Sequence, residues 1–222
     1  VRQYGLVHVV DMDLSKCFDR LDHGLIVASI RRRVRDGSIL ALLRMFLESG
    51  VMIEGNWEAT EIGSPQGGVI SPLISNVYLD AFDQEMKRRG HRIVRYADDI
   101  LLLCRSRSAA EHAREVATNI LEGSLRLTVN AEKTHLVHAS RGVKFLGVEI
   151  GLRWIRIQVK KVAAFKAKVK AITGRNSPVN LKQVIADLNP VLRGYANYFR
   201  MANCQGLFRE LMSWIRRRLR AK

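Results

Sequence analysis

The 222-residue chain is 47% hydrophobic, enough for a substantial core, and no stretch approaches the roughly 20 consecutive apolar residues of a membrane span. Its start lacks the charged-then-apolar order of a signal peptide, so a globular cytoplasmic protein with no membrane partner is expected. Cys17, Cys104 and Cys204 lie far apart with no CxxC pair, which argues against a disulfide framework or a zinc site, and the net charge of +16 argues for a polyanionic partner.

Val1 stands without a Met shortly before Val-rich alternation from Gly5 to Leu14, so an upstream segment is expected and the stretch reads as a buried strand ending on Asp11 and Asp13. Asp22 caps a helix carrying Leu25, Ile26, Ile30 and Val34, Gly37 is expected to end it, and Ile39 to Leu47 forms a second helix. Val51 to Ile62 reads as a hairpin about Gly55-Asn56, and Ser71-Pro72 opens a helix with Pro in its first turn. In Arg92 to Cys104 two apolar runs flank Tyr96-Ala97-Asp98-Asp99, a hairpin with acids at its tip. A helix follows over Ala109 to Leu121, then strands over Leu127–Val129, Thr134–Val137, Lys144–Ile150 and Trp154–Val159. Beyond Lys160 only helices are expected: to Ile172, from Asn180 to Phe199, and from Gly206 onward.

Charge is unevenly placed along these elements. Residues 151–222 carry 17 Lys and Arg against Asp187 and Glu210, while the first 150 residues hold 20 basic and 19 acidic side chains. A merely solvated helical surface interleaves both signs, yet Lys160 to Lys182 contains no acid, so the tail reads as a polyanion-binding surface.

Adjacent aspartates at a hairpin tip raise one another's pKa unless a cation relieves them, and carboxylate oxygens suit Mg²⁺. If the strand ending at Asp13 lies beside the hairpin bearing Asp98 and Asp99, the three acids form a platform for two ions, the arrangement used in phosphoryl transfer. Taken alone, Tyr-Ala-Asp-Asp is equally compatible with an ordinary turn.

The blocks VVDMDLSKCFDRLDH, IGSPQGGVISPLISNVYLDAFD, RYADD, LTVNAEKT, VKFLGVEI and LNPVLRGYANYF, in this order, resemble group II intron-encoded reverse transcriptases and maturases over nearly the whole chain. The resemblance implies an α+β polymerase palm, an antiparallel sheet backed by helices, over residues 1–158, followed by a three-helix thumb or maturase segment over 159–222. It implies Asp13 and Asp98 as principal ligands of two Mg²⁺, with Mn²⁺ as a substitute, and Asp99 as a weaker third. Asp11 shares the strand face of Asp13 and is read as a support or a solvated strand end. Phe18 corresponds to the aromatic that excludes a ribose 2′-hydroxyl, although a core role suits the ring as well. Gln66, Gly67 and Gly68 belong to the loop that meets the incoming nucleotide, where glycines permit close backbone approach. Lys133 matches a lysine near the leaving pyrophosphate or else a plain turn lysine, and Phe145-Leu146-Gly147 matches a primer grip, with packing of Phe145 and Leu146 into the sheet equally compatible. Arg193, Tyr195, Arg216, Arg217, Arg218 and Arg220 are expected to meet nucleic acid, with core packing the alternative for Tyr195; Asp19 and His23 are expected to tie the following helix.

The implied function is RNA-directed DNA synthesis on an RNA template with a DNA primer and deoxynucleoside triphosphates, with intron RNA as a further partner. The chain lacks the family's fingers blocks, so a partial chain inactive by itself, or a partner chain supplying the fingers, is also expected. The alternative of another class is a non-catalytic maturase that binds intron RNA and promotes splicing. The acids and Phe18 favour the enzyme.

Overall fold

The computed structural model describes residues 4–53, 56–58, 62–64, 68–174 and 178–221. The chain forms two compact units, Val1–His138 and Ala139–Lys222.

In the first unit, β1 (His8–Met12) and β2 (Leu14–Ser15) lead through a short 3₁₀ turn, Phe18–Arg20, into α1 (His23–Arg31) and α2 (Gly37–Glu48). The strands β3 (Val51–Ile53) and β4 (Asn56–Glu58) pair antiparallel, and α3 (Ser71–Arg88), β5 (Arg92–Tyr96), β6 (Asp99–Cys104) and α4 (Arg107–Asn119) follow. The chain leaves α4 through a π-helical turn, Ile120–Ser124, and ends the unit with β7 (Thr128–Val129) and β8 (His135–His138). The main sheet has the order β5-β6-β1-β8, antiparallel throughout, so β1 and β6 are its two central strands.

The local chemistry explains most of these boundaries. Asp22 caps α1 by accepting from the Leu25 amide at 2.9 Å. Gly37, expected to end that helix, instead begins α2, because the Asp36 carboxylate accepts from the Ser38 and Ile39 amides and caps a new helix there. Pro72 sits in the first turn of α3, where its missing amide costs nothing. Asn56 pairs with Ile53 and is a strand residue, whereas Gly55, the other residue of the expected turn, lies outside the described residues.

The core of this unit joins Val10, Met12, Ile100 and Leu102 of the central strands to Ile74, Leu79, Phe82 and Met86 of α3 and to the alanines of α4. Ala110, Ala113 and Ala117 are fully buried, small residues that let α4 approach closely. At the centre of the core Tyr78 donates its hydroxyl to the Leu125 carbonyl at 2.6 Å.

The second unit holds a three-stranded antiparallel sheet, β9 (Val143–Phe145), β10 (Val148–Ile150) and β11 (Ile155–Ile157), and three helices, α5 (Val159–Ile172), α6 (Leu181–Tyr198) and α7 (Gln205–Arg220). The alternation of Lys144–Ile150 reads as one strand but is two, reversed at Leu146-Gly147. The helices close on Phe165, Val169, Leu188, Leu211 and Ile215. Among the described residues no helix is long and apolar enough to cross a membrane.

Candidate active site

The register of the two central strands determines where the acids go. Pairing runs from His8 opposite Cys104 to Met12 opposite Ile100. Asp13, the residue after β1, and Asp99, the first of β6, flank the last pair of this register and lie close enough to feel one another's charge, although 86 residues separate them in sequence. The Asp11 carboxylate, on β1, lies close enough to Asp99 and Asp13 to feel the charge of both.

Asp98 reaches the same place by a different device. Tyr96 pairs with Asp99, so Ala97 and Asp98 are the two central residues of a tight hairpin turn. Ala97 has φ 54°, the sign that a type II′ turn demands at its first central position. A side chain there is strained by about 1–3 kcal/mol and persists only where its surroundings hold it. Arg95 does the holding. Its guanidinium grips both Asp83 oxygens at 2.9 and 2.7 Å, donates to Asn76 Oδ1 at 3.0 Å, and donates to the Ala97 carbonyl at 3.0 Å. The fork thereby fastens the turn to α3. Sequence reasoning passed over this residue although it stands inside the RYADD block, because its partners are revealed only by folding.

The charges behave as crowded carboxylates do. Burial pushes the Asp99 carboxyl above its ordinary value, and Asp98 and then Asp13 push it further. Burial also raises Asp11, with Asp99 and Asp13 adding to the effect and His135 opposing it. Burial, with Asp98 second, drives the Cys17 thiol up to about 11, so Cys17 is a packed thiol and not a nucleophile. Lys133 is drawn to this cluster: the Asn130 amide donates to the Asp13 carbonyl, and the Lys133 ammonium stands 3.2 Å from Asp13 Oδ2. Among the described residues no three His, Cys, Asp or Glu side chains gather closely enough to hold one ion by themselves.

Phe18 is half-buried on the 3₁₀ turn, and its carbonyl accepts from the Ser64 amide at 2.8 Å. That bond belongs to a dock for the Gly63-Ser64 segment. The Gly63 amide donates to Leu21, and His23 Nε2 meets the Gly63 carbonyl at 2.7 Å, so His23 ties a loop as well as starting a helix. Buried Ser64 donates to Ser71 at 2.7 Å, closing the loop onto α3. Gln66 and Gly67 lie outside the described residues; Gly68 accepts from the Ser71 amide.

In the second unit, Phe145 pairs with Val148 around a turn whose central residues, Leu146 and Gly147, have φ of 47° and 82°. Positive φ at both is the type I′ pattern. Tyr198 donates its hydroxyl to the Leu146 carbonyl at 3.0 Å, and the Gln158 amide donates to Gly147 at 3.0 Å, so the tip of this hairpin is held from two sides. The residues expected to meet nucleic acid divide by environment. Arg193, Arg216, Arg217 and Arg220 are exposed. Arg218 donates to Thr173 Oγ1 at 2.7 Å and to its carbonyl at 3.1 Å, completing the end of α5. Tyr195 stacks on Phe165 at 3.9 Å inside the helical core, with its hydroxyl sealed from solvent.

Known proteins align with both units. Residues 2–150, more than half of the chain, match the family model described as reverse transcriptase (RNA-dependent DNA polymerase), and residues 162–222 match the group II intron, maturase-specific domain. The chain is 34% identical over 173 residues to the protein YkfC of Escherichia coli, covering 63% of this chain and 45% of that one. It is 24% identical over 208 residues to the group II intron-encoded protein LtrA of Lactococcus lactis, covering 65% and 35%. It thus spans less than half the length of these relatives. Among solved structures, apo telomerase from Candida tropicalis superposes with a TM-score of 0.59 at 14% identity, covering 88% of this chain and 42% of that one. A foamy viral protease-reverse transcriptase in complex with an RNA/DNA hybrid gives 0.52 at 18%, covering 96% and 27%; at such identities the likeness shows the fold alone. With a reverse transcriptase part followed by a maturase-specific part, the chain belongs to the group II intron-encoded reverse transcriptase/maturase family.

Proposed function

We propose that the chain is an RNA-directed DNA polymerase, with residues 1–158 acting as palm and 159–222 as thumb, and that the acids at the ends of β1 and β6 are its catalytic centre. The observation that supports this most is the β1–β6 register, which ends at Met12 opposite Ile100 and so brings Asp13 and Asp99 to one end of the strand pair beside the Asp98 turn.

The donors are oxygen only, and burial with mutual repulsion leaves them with excess negative charge, which suits a hard divalent cation. Asp13 and Asp98 would be the principal ligands and Asp99 the third. Two bound ions would supply activation of the primer 3′-hydroxyl and stabilisation of the leaving pyrophosphate. Lys133, paired with Asp13, would neutralise phosphate charge or donate a proton at that end of the site. Phe18 and the Gln66-Gly67-Gly68 loop would receive the deoxynucleotide, and the Phe145-Leu146-Gly147 turn would hold the primer. Arg193, Arg216, Arg217 and Arg220 would meet backbone phosphates.

The test is primer extension on an RNA template. Asp13→Ala and Asp98→Ala should each lower incorporation by at least about 10²-fold; incorporation that survives Asp98→Ala overturns the assignment. A readout besides activity is the melting temperature, which Mg²⁺ should raise in the wild type and not in Asp13→Asn.

The match of residues 162–222 to a maturase-specific domain favours a second role in intron splicing. That role needs no carboxylate centre, so splicing assistance retained in Asp98→Ala would separate the two.

A further inference from the structure

Bulk charge conceals a local excess in the first unit. Its residues are nearly neutral in sum, yet between Arg31 and Glu48 five arginines, Arg31, Arg32, Arg33, Arg35 and Arg44, meet only Asp36 and Glu48. All five are exposed, and among the described residues none forms an ion pair. The Asp36 carboxylate is already engaged as the cap of α2. A C-terminal helix end accounts for one or two cations, since the dipole effect fades within a turn. Four arginines in five positions exceed that need.

The fold also gathers them. Arg31 and Arg32 from the end of α1, and Arg44 from α2, line one recess of about 570 Å³ with His23, Gly24, Val27, Ala28 and Glu48. Guanidinium groups suit phosphate oxygens because their planar fork donates two parallel hydrogen bonds. His23 supplies the sole ring in this lining, where single strands call for a series of aromatic faces on which successive bases stack. Phosphates of a nucleic acid whose bases are already paired fit this surface better.

We propose that the α1–α2 arginine surface docks the phosphate backbone of double-helical RNA. The choice of RNA rests on the family's link to intron RNA and not on polymerase activity. Contacts of this kind fix position and carry little sequence preference.

The test compares Arg31→Gln/Arg32→Gln/Arg33→Gln with an equal loss of charge elsewhere in the unit, Arg105→Gln/Arg107→Gln/Arg114→Gln, in the full chain. Binding of an RNA duplex is measured against salt, with a DNA duplex of the same sequence as competitor. The first variant should bind at least about tenfold more weakly at moderate salt, with a log–log salt slope shallower by about 2 to 3. The second should stay within about twofold of wild type. Equal losses in both variants, an unchanged slope, or equal competition by the DNA duplex would overturn the proposal. Primer extension on the same proteins is read separately: a wild type that binds RNA duplex through this surface but extends no primer counts against polymerase activity of this chain by itself and leaves the surface standing.

Discussion

Arg95 commits its donors to Asp83, Asn76 and Ala97, and its side chain is only 9% exposed. Removing it leaves the Asp83 carboxylate poorly solvated and unpaired, so Arg95→Ala should cost about 3 kcal/mol in denaturant unfolding. Arg95→Ala combined with Asp83→Ala should cost less than the two single changes together, a coupling that a double-mutant cycle measures directly. Asp99 presents the opposite case. Its folded-state pKa lies above the ordinary carboxylate value, so it disfavours the folded state once ionised: stability is fullest below the ordinary pKa and declines as pH rises through the raised one. Asp99→Asn should remove that decline and raise the melting temperature at neutral pH by about 1 to 3 °C, while incorporation falls. A melting temperature that drops would show that the carboxylate stabilises the site instead.

At the scale of elements, the Gly63 loop and the helical core of the second unit can each be tested by a change of a few atoms. Gly63 has φ +89°, and a Cβ there would lie 2.8 Å from the Asp19 backbone. Backbone cannot swing aside as a flexible side chain can. Gly63→Ala should therefore destabilise by about 2–4 kcal/mol in urea unfolding and raise the nucleotide KM, because the loop it anchors leads into Gln66. In α6, the Tyr195 hydroxyl is buried with no hydrogen-bond partner among the described residues, and burial holds its pKa up to about 12. Tyr195→Phe should stabilise the protein by about 1 kcal/mol and leave RNA affinity unchanged, whereas a loss of affinity would return Tyr195 to the nucleic-acid surface.

For the molecule as a whole, the sequence by itself determined what local chemistry can specify. The alternation on either side of Tyr96-Ala97-Asp98-Asp99 marks a hairpin, Asp22 and Pro72 mark helix starts, and the acid-free run from Lys160 to Lys182 marks a basic tail. Each of these signals acts over a few residues, through hydrogen bonding to the nearest amides or through burial of one face. Gly37 and Lys144–Ile150 depart from the local pattern because the deciding feature is atypical: an aspartate one residue earlier captures the helix start, and Leu146 takes a positive φ that seldom suits a leucine. Only the tertiary structure decided that Asp13 and Asp99 come to one end of a strand pair, that Arg95 clamps the Ala97-Asp98 turn, that Arg218 serves α5, and that arginines from α1 and α2 share a recess. Strand register and ion-pair choice are settled by packing among distant segments, where many partners have the same chemistry and only one is brought within reach.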